Sequence, residues 1–222
     1  MELALRLKAG LGLGLSAMGA ALTLATAPGP QVLAPRPEGT AQASTRAHND
    51  GPYALTPERQ ALLNTIRYAE GTWKNGSSLG YRVLYGGALA DNLQEHPRQV
   101  VVKRYTSAAA GAYQFLPQTW DMAASTLNLN DFGPRSQDQA ALFLIDRRQA
   151  LDEADNGRLT PELVAKLAPE WASLPTMEQQ SFYGQPVKDF EELNSFYQEN
   201  LEELRRGGLP QQESGNGLDT LG

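Results

Sequence analysis

The stretch Arg67-Tyr68-Ala69-Glu70-Gly71-Thr72 sets a carboxylate at the end of a helix whose neighbouring stripe positions are apolar. Upstream, Thr56, Pro57 and Glu58 form a helix start: a hydroxyl cap, a proline at the first helical position and an acid in the first turn. Leu63, Ile66 and Glu70 recur at spacings of three and four, so Glu70 continues the apolar stripe rather than the wet face. Gly71 stops the helix directly after it. There a carboxylate meets the unfavourable end of the helix dipole together with partial burial, and both raise its pKa. A general acid that must hold a proton near neutral pH needs that shift. The alternative is a surface glutamate at a frayed helix end, with Lys74 nearby.

Outward from this stretch, the chain divides by composition. Residues 1–27 read as a signal peptide or N-terminal anchor: Arg6 and Lys8 precede an uncharged run from Ala9 that closes on Ala25-Thr26-Ala27. Pro28 is an awkward residue on the far side of a cut. The run of 19 residues spans roughly 28 Å as a helix, against about 30 Å of hydrocarbon, so an uncleaved anchor is the other reading. Either way the chain is expected to be exported, periplasmic or extracellular, and in the second case tethered to the inner membrane. Residues 28–55, rich in Pro, Gly, Ala, Ser and Thr, read as a disordered linker, and 207–222 as a flexible tail. The folded domain is expected over 56–206, without internal repeats.

Within it, Tyr81–Tyr85 and Ala112–Phe115 read as short strands, and the remainder as helices. Pro117 opens one helix to about Leu127, and Ser136 with Gln139 makes a capping box for another. Thr160-Pro161-Glu162 opens a third. The last, 187–206, puts Val187, Phe190, Leu193, Tyr197, Leu201 and Leu204 on one face. The pattern is α+β: a mainly helical domain with a small β lobe near its beginning.

The formal charge of −6 and the lack of a basic patch argue against nucleic acid as a partner. With no cysteine there is neither a disulfide nor a thiolate nucleophile, and two histidines offer little to hold zinc; neither metal nor cofactor is expected. His48 lies in the linker and His96 before Pro97, an arrangement unsuited to a histidine-based triad. An acid facing a Gly/Tyr/Ser-rich lobe remains.

Tyr68-Ala69-Glu70-Gly71-Thr72, Gly80-Tyr81, Gly86-Gly87, His96-Pro97-Arg98, Gly111-Ala112-Tyr113-Gln114, Asp131-Phe132, Pro134-Arg135-Ser136-Gln137-Asp138 and Trp171–Pro175 with Tyr183-Gly184-Gln185 follow one another in register. Together they resemble the bacteriophage lambda endolysin family of lytic transglycosylases over about residues 58–204. The resemblance implies a lysozyme-like fold with a cleft between a β lobe and a helical lobe. It implies cleavage of the β-1,4 bond between N-acetylmuramic acid and N-acetylglucosamine in peptidoglycan, with glycan strands as the partner of a monomer and Glu70 matching the catalytic acid. A transglycosylase needs one carboxylate, because the substrate's C6 hydroxyl closes a 1,6-anhydro ring, whereas a hydrolytic muramidase generally needs two. Asp91 is the best-placed second acid, and otherwise caps a loop; Asp121 lies on a later helix. Arg82 stands where the phage sequence is acidic, which favours the single-carboxylate route. A non-catalytic peptidoglycan-binding module is the reading from another class. Tyr113 and Gln114 are candidate substrate contacts, one facing the cleft and the other the core if they lie on a strand. Ser107, Tyr85, Asp91 and Tyr183 are further candidates, while Trp120 and Trp171 read as core.

Overall fold

The computed structural model describes residues 51–207. The expected signal peptide or anchor at 1–27, the linker up to residue 50 and the tail from 208 lie outside the described residues. The helices are α1 (Pro57–Ala69), α2 (Pro117–Leu127), α3 (Pro134–Arg147), α4 (Leu151–Ala154), α5 (Pro161–Leu167) and α6 (Phe190–Gly207); β1 (Val101–Val102) and β2 (Thr106–Ser107) form an antiparallel pair with Val101 opposite Ser107. Two 3₁₀ turns, Lys74–Gly76 and Ser78–Arg82, connect α1 to the β lobe. The fold is α+β, mainly helical with a small sheet.

α1 starts as its sequence dictates: the Thr56 hydroxyl accepts from the Arg59 N–H at 3.2 Å, with Pro57 behind it. It packs most extensively on α6, where Leu193, Tyr197, Leu201 and Leu204 are buried as the helical spacing requires. Leu63 and Ile66 are wholly buried against the same core. α2 and α5 likewise begin at Pro117 and Pro161, and the Thr160 hydroxyl accepts from the Leu163 N–H.

Four local expectations are corrected. Residues 51–55, assigned to the linker, belong to the domain: Tyr53 and Leu55 pack on the core, and the Tyr53 backbone N–H and C=O both pair with the Gln139 amide. Gln139 therefore closes no capping box. α3 has Gly133 at its N-cap with no side-chain cap, and Asp131 just before it braces the entry, its Oδ1 accepting from the Gly133 N–H and the Ser136 hydroxyl. The expected strand 81–85 is a 3₁₀ turn followed by isolated bridges from Val83 to Leu89 and Leu84 to Ala110, and residues 112–115 form a turn closed by the Ala110–Phe115 bridge. The last helix begins at Phe190 rather than Val187, because the Asp189 carboxylate accepts from the Glu191 N–H and fixes the first turn there.

The β lobe is fastened to the helices by buried polar groups. Gln137, with no exposed surface, accepts from the Ala112 N–H at 2.8 Å and donates to the carbonyls of Tyr81 at 3.0 Å and Phe132 at 2.7 Å. Asp138 accepts from the hydroxyls of Tyr81 at 2.9 Å and Tyr113 at 2.5 Å. His96 is buried, with Nε2 2.8 Å from the Phe115 carbonyl and Nδ1 accepting from the Arg98 N–H. That contact to a carbonyl places the proton on Nε2. The ring is neutral and structural, and burial holds its pKa down.

Candidate active site

Glu70 is the C-cap of α1, and its backbone N–H still donates to the Ile66 carbonyl at 2.9 Å. Gly71 follows at φ +73°, a left-handed conformation open to glycine without strain, and turns the chain away from the helix axis. Thr72 then locks the turn. Its backbone N–H donates to the Arg67 carbonyl at 2.8 Å, and its hydroxyl lies 2.5 Å from the Ala112 carbonyl oxygen. Gly80 crosses so close that a Cβ there would sit 2.1 Å from the Thr72 carbonyl oxygen, so only glycine lets the two segments touch. Behind the turn, the buried Arg67 guanidinium lies between the rings of Trp73 and Tyr81, at 4.9 and 4.5 Å.

The Glu70 side chain keeps an opening to solvent while protein surrounds most of it. Burial pushes its pKa up to about 7, opposed by the hydroxyl and backbone N–H of Ser173, both of which donate to the carboxylate. The hydroxyl lies 2.7 Å from Oε1. At pH 6 to 7 this carboxyl is therefore populated in both protonation states, the condition for giving a proton in one step and taking one in the next.

Among the described residues no second carboxylate is bonded to it. The exposed Asp91 offers only its backbone carbonyl, to Arg82, and Asp121 is held by the Arg98 guanidinium in a two-pronged pair. Such engagement lowers the Asp121 pKa. Arg82 spends its guanidinium on the carbonyls of Ala90 and Asp91, bracing the loop between them.

The expected substrate contacts scatter. Tyr113 is corrected to a core residue, 1% exposed, with its hydroxyl on Asp138. Burial and the Asp138 charge drive its pKa far up, so it stays neutral. Gln114 leaves the turn at φ +47° and donates to the carbonyls of Val83 and Gly111, partly exposed. The Ser107 hydroxyl accepts from the Ala109 N–H, and Tyr85 is half-buried. Tyr183 is exposed beside Phe182, its hydroxyl donating to the Pro169 carbonyl. Trp120 and Trp171 are buried, and the Trp171 indole donates to the Tyr113 carbonyl.

The chain that sets this half-buried glutamic acid at the end of a helix, with a serine 103 positions away on its carboxylate, is similar to known proteins. Residues 60–204 match the model of the endolysin family. The chain belongs to the endolysin family. It is 38% identical to the endolysin of Escherichia phage lambda over 127 residues, 54% of this chain and 79% of that protein. It is 30% identical to the endolysin of Escherichia phage P2 over 164 residues, 68% of this chain and 93% of that protein. Among solved structures, bacteriophage lambda lysozyme complexed with a chitohexasaccharide superposes with a TM-score of 0.60 at 34% identity, covering 67% of this chain and 96% of that one. A second structure of lysozyme from bacteriophage lambda gives 0.56 at 32% identity.

Ser173 was not singled out from the sequence. It lies 103 positions from Glu70, inside the Trp171–Pro175 motif, and that motif was its only signal. Replacing Ser173 with alanine removes a donor that favours the charged carboxylate. The basic limb of the pH–rate profile is then expected to move up by on the order of one unit, the worth of one hydrogen bond to a charge. An unmoved limb in the Ser173→Ala variant would mean that this hydroxyl does not tune Glu70.

Proposed function

We propose that the chain is an exported peptidoglycan lytic transglycosylase that cleaves the bond between N-acetylmuramic acid and N-acetylglucosamine, with Glu70 as its single acid and base. The observation that carries this is a carboxyl with a pKa of about 7, held by Ser173 and with no second acid bonded to it among the described residues. Family membership supports a lysozyme-like glycosidase acting on the cell wall, and the chitohexasaccharide held by the lambda lysozyme supports a β-1,4-linked amino-sugar strand as the ligand. Glu70 protonates the glycosidic oxygen, and the bond from that oxygen to C1 breaks. The C6 hydroxyl of the same muramic acid forms a bond to C1 and passes its proton to the Glu70 carboxylate, which restores the acid. Ser173 donates to the carboxylate between the two transfers. Export follows from residues 1–27; among the described residues no helix is long and apolar enough to cross a membrane.

Digestion of purified sacculi followed by mass spectrometry of the released muropeptides tests the route. Anhydro ends, lighter by one water than reducing ends, are expected throughout. Reducing ends would instead establish hydrolysis and send the search for a second acid back to Asp91.

A further inference from the structure

We propose a second saccharide-binding site on the face formed by the turn after α1 and by α6, in a concavity lined by Trp73, Phe196, Glu199, Asn200 and Glu203. Glu70 and Ser173 are not among the lining residues. The inference rests on the glycan reading above and extends it to a surface that the cleavage chemistry does not use.

The concavity encloses about 190 Å³. Its floor is Asn200, a polar side chain only 8% exposed. A relay fixes the orientation of that amide. Arg67 Nη1 and Gln60 Nε2 both donate to Asn64 Oδ1, at 3.4 and 3.0 Å, and arginine can only donate. Asn64 Nδ2 must therefore be the donor to Asn200 Oδ1, at 2.7 Å. This leaves the Asn200 NH₂ as the group turned to the concavity, and no described residue accepts from it. Among the described residues the side-chain nitrogen or oxygen buried without a partner is Arg67 Nε, so the Asn200 NH₂ retains contact with solvent and is available to an acceptor from a ligand. On the rim, Glu199 and Glu203 lie one helical turn apart with no ion pair among the described residues, an arrangement of like charges that weakens an isolated helix. The wall is apolar: Phe196 stacks on Tyr68 at 4.3 Å and meets Trp73 nearly edge to face at 5.5 Å.

The ligand must accept from an amide, donate to carboxylates and offer a C–H surface to aromatic rings. A cation would leave the Asn200 donors facing positive charge, and an anion would meet two carboxylates. A neutral N-acetylated sugar has all three features: an acetamido carbonyl, hydroxyl donors and an apolar ring face. On an insoluble polymer, a second point of attachment raises the effective concentration of the strand at Glu70.

The test is an NMR titration of the isotope-labelled Glu70→Gln protein with chitotetraose. The Asn200 side-chain amide and the Trp73 indole N–H are expected to shift, in addition to signals around Ser173. In a Glu199→Ala/Glu203→Ala version, which keeps good helix formers on an exposed face, affinity at the Asn200 and Trp73 signals is expected to fall by about fivefold to tenfold, the loss of one hydrogen bond or slightly more. Shifts around Ser173 should persist unchanged. Movement confined to the Ser173 region overturns the second site and leaves the glycan reading intact. Silence everywhere overturns both. A response of the Asn200 and Trp73 signals to lysine methyl ester but not to the sugar overturns the saccharide assignment in favour of a cation pocket.

Discussion

Glu70→Gln is expected to lose on the order of 10²–10⁴ in rate for each of the two proton transfers proposed for it, and yet to be the more stable protein above pH 7. The amide matches the carboxyl in shape and can still accept from Ser173, but cannot exchange a proton with sugar oxygens. The stability gain follows from the raised pKa. Glu70 titrates near 7 in the folded chain and near 4.5 when unfolded, so the folded state holds the extra proton between those values. Stability from this site is complete below about pH 4.5 and is lost as pH rises through about 7. Glutamine never ionises, so the variant escapes that loss. Discounted for the remaining solvent opening, the gain at pH 8 is on the order of 1–3 kcal/mol, and it vanishes near pH 4. Turbidity loss of sacculi and urea melts at pH 4 and pH 8 check both halves. A variant retaining a tenth of the parent activity removes Glu70 from the chemistry. One that is no more stable than the parent at pH 8 removes the buried acid.

Glu70 is legible in the sequence while its surroundings are not, because its signals are local and theirs are not. The signals for Glu70 lie within a few turns of one helix: the Thr56 cap, the stripe through Leu63 and Ile66, the stop at Gly71. The same locality made α2 and α5 readable, since a proline at the first helical position needs no distant partner. The β lobe depends on non-local bridges from residues 83–84 to 89 and 110, so periodicity over a few residues misplaced its strands and passed over the Val101–Val102 and Thr106–Ser107 pair. Tyr113 shows the consequence at the site. Alternation along a strand would have offered one of Tyr113 and Gln114 to the cleft, but a tight turn with Gln114 in the left-handed region sends the tyrosine to Asp138. Family resemblance supplied what local pattern lacked, marking the motifs that contain Ser173, Gln137 and Asp138 without saying what each does.

Gln137 is expected to show a large stability effect from a neutral substitution of similar volume. Leucine in its place fills nearly the same volume but strands the Ala112 N–H and the carbonyls of Tyr81 and Phe132 in an interior with no exposed surface at that position. At about 1–3 kcal/mol for each of the three buried groups left without a partner, the Gln137→Leu loss comes to roughly 3–9 kcal/mol, comparable with the whole stability of many domains. Gln139→Leu is the matched control. It lies on the same helix, is nearly as buried, and pairs only with the two backbone groups of Tyr53 at the margin of the domain. There solvent can take over as the segment peels away, and a loss of about 1–2 kcal/mol is expected. The two variants also separate in function. Ala112 holds the Thr72 hydroxyl through its carbonyl, and Thr72 fixes the turn that aims Glu70, so whatever Gln137→Leu protein folds should cleave sacculi poorly, whereas Gln139→Leu protein should cleave normally. Equal melting temperatures and equal activities for the pair would show that the β lobe is not anchored to the catalytic helix through Gln137.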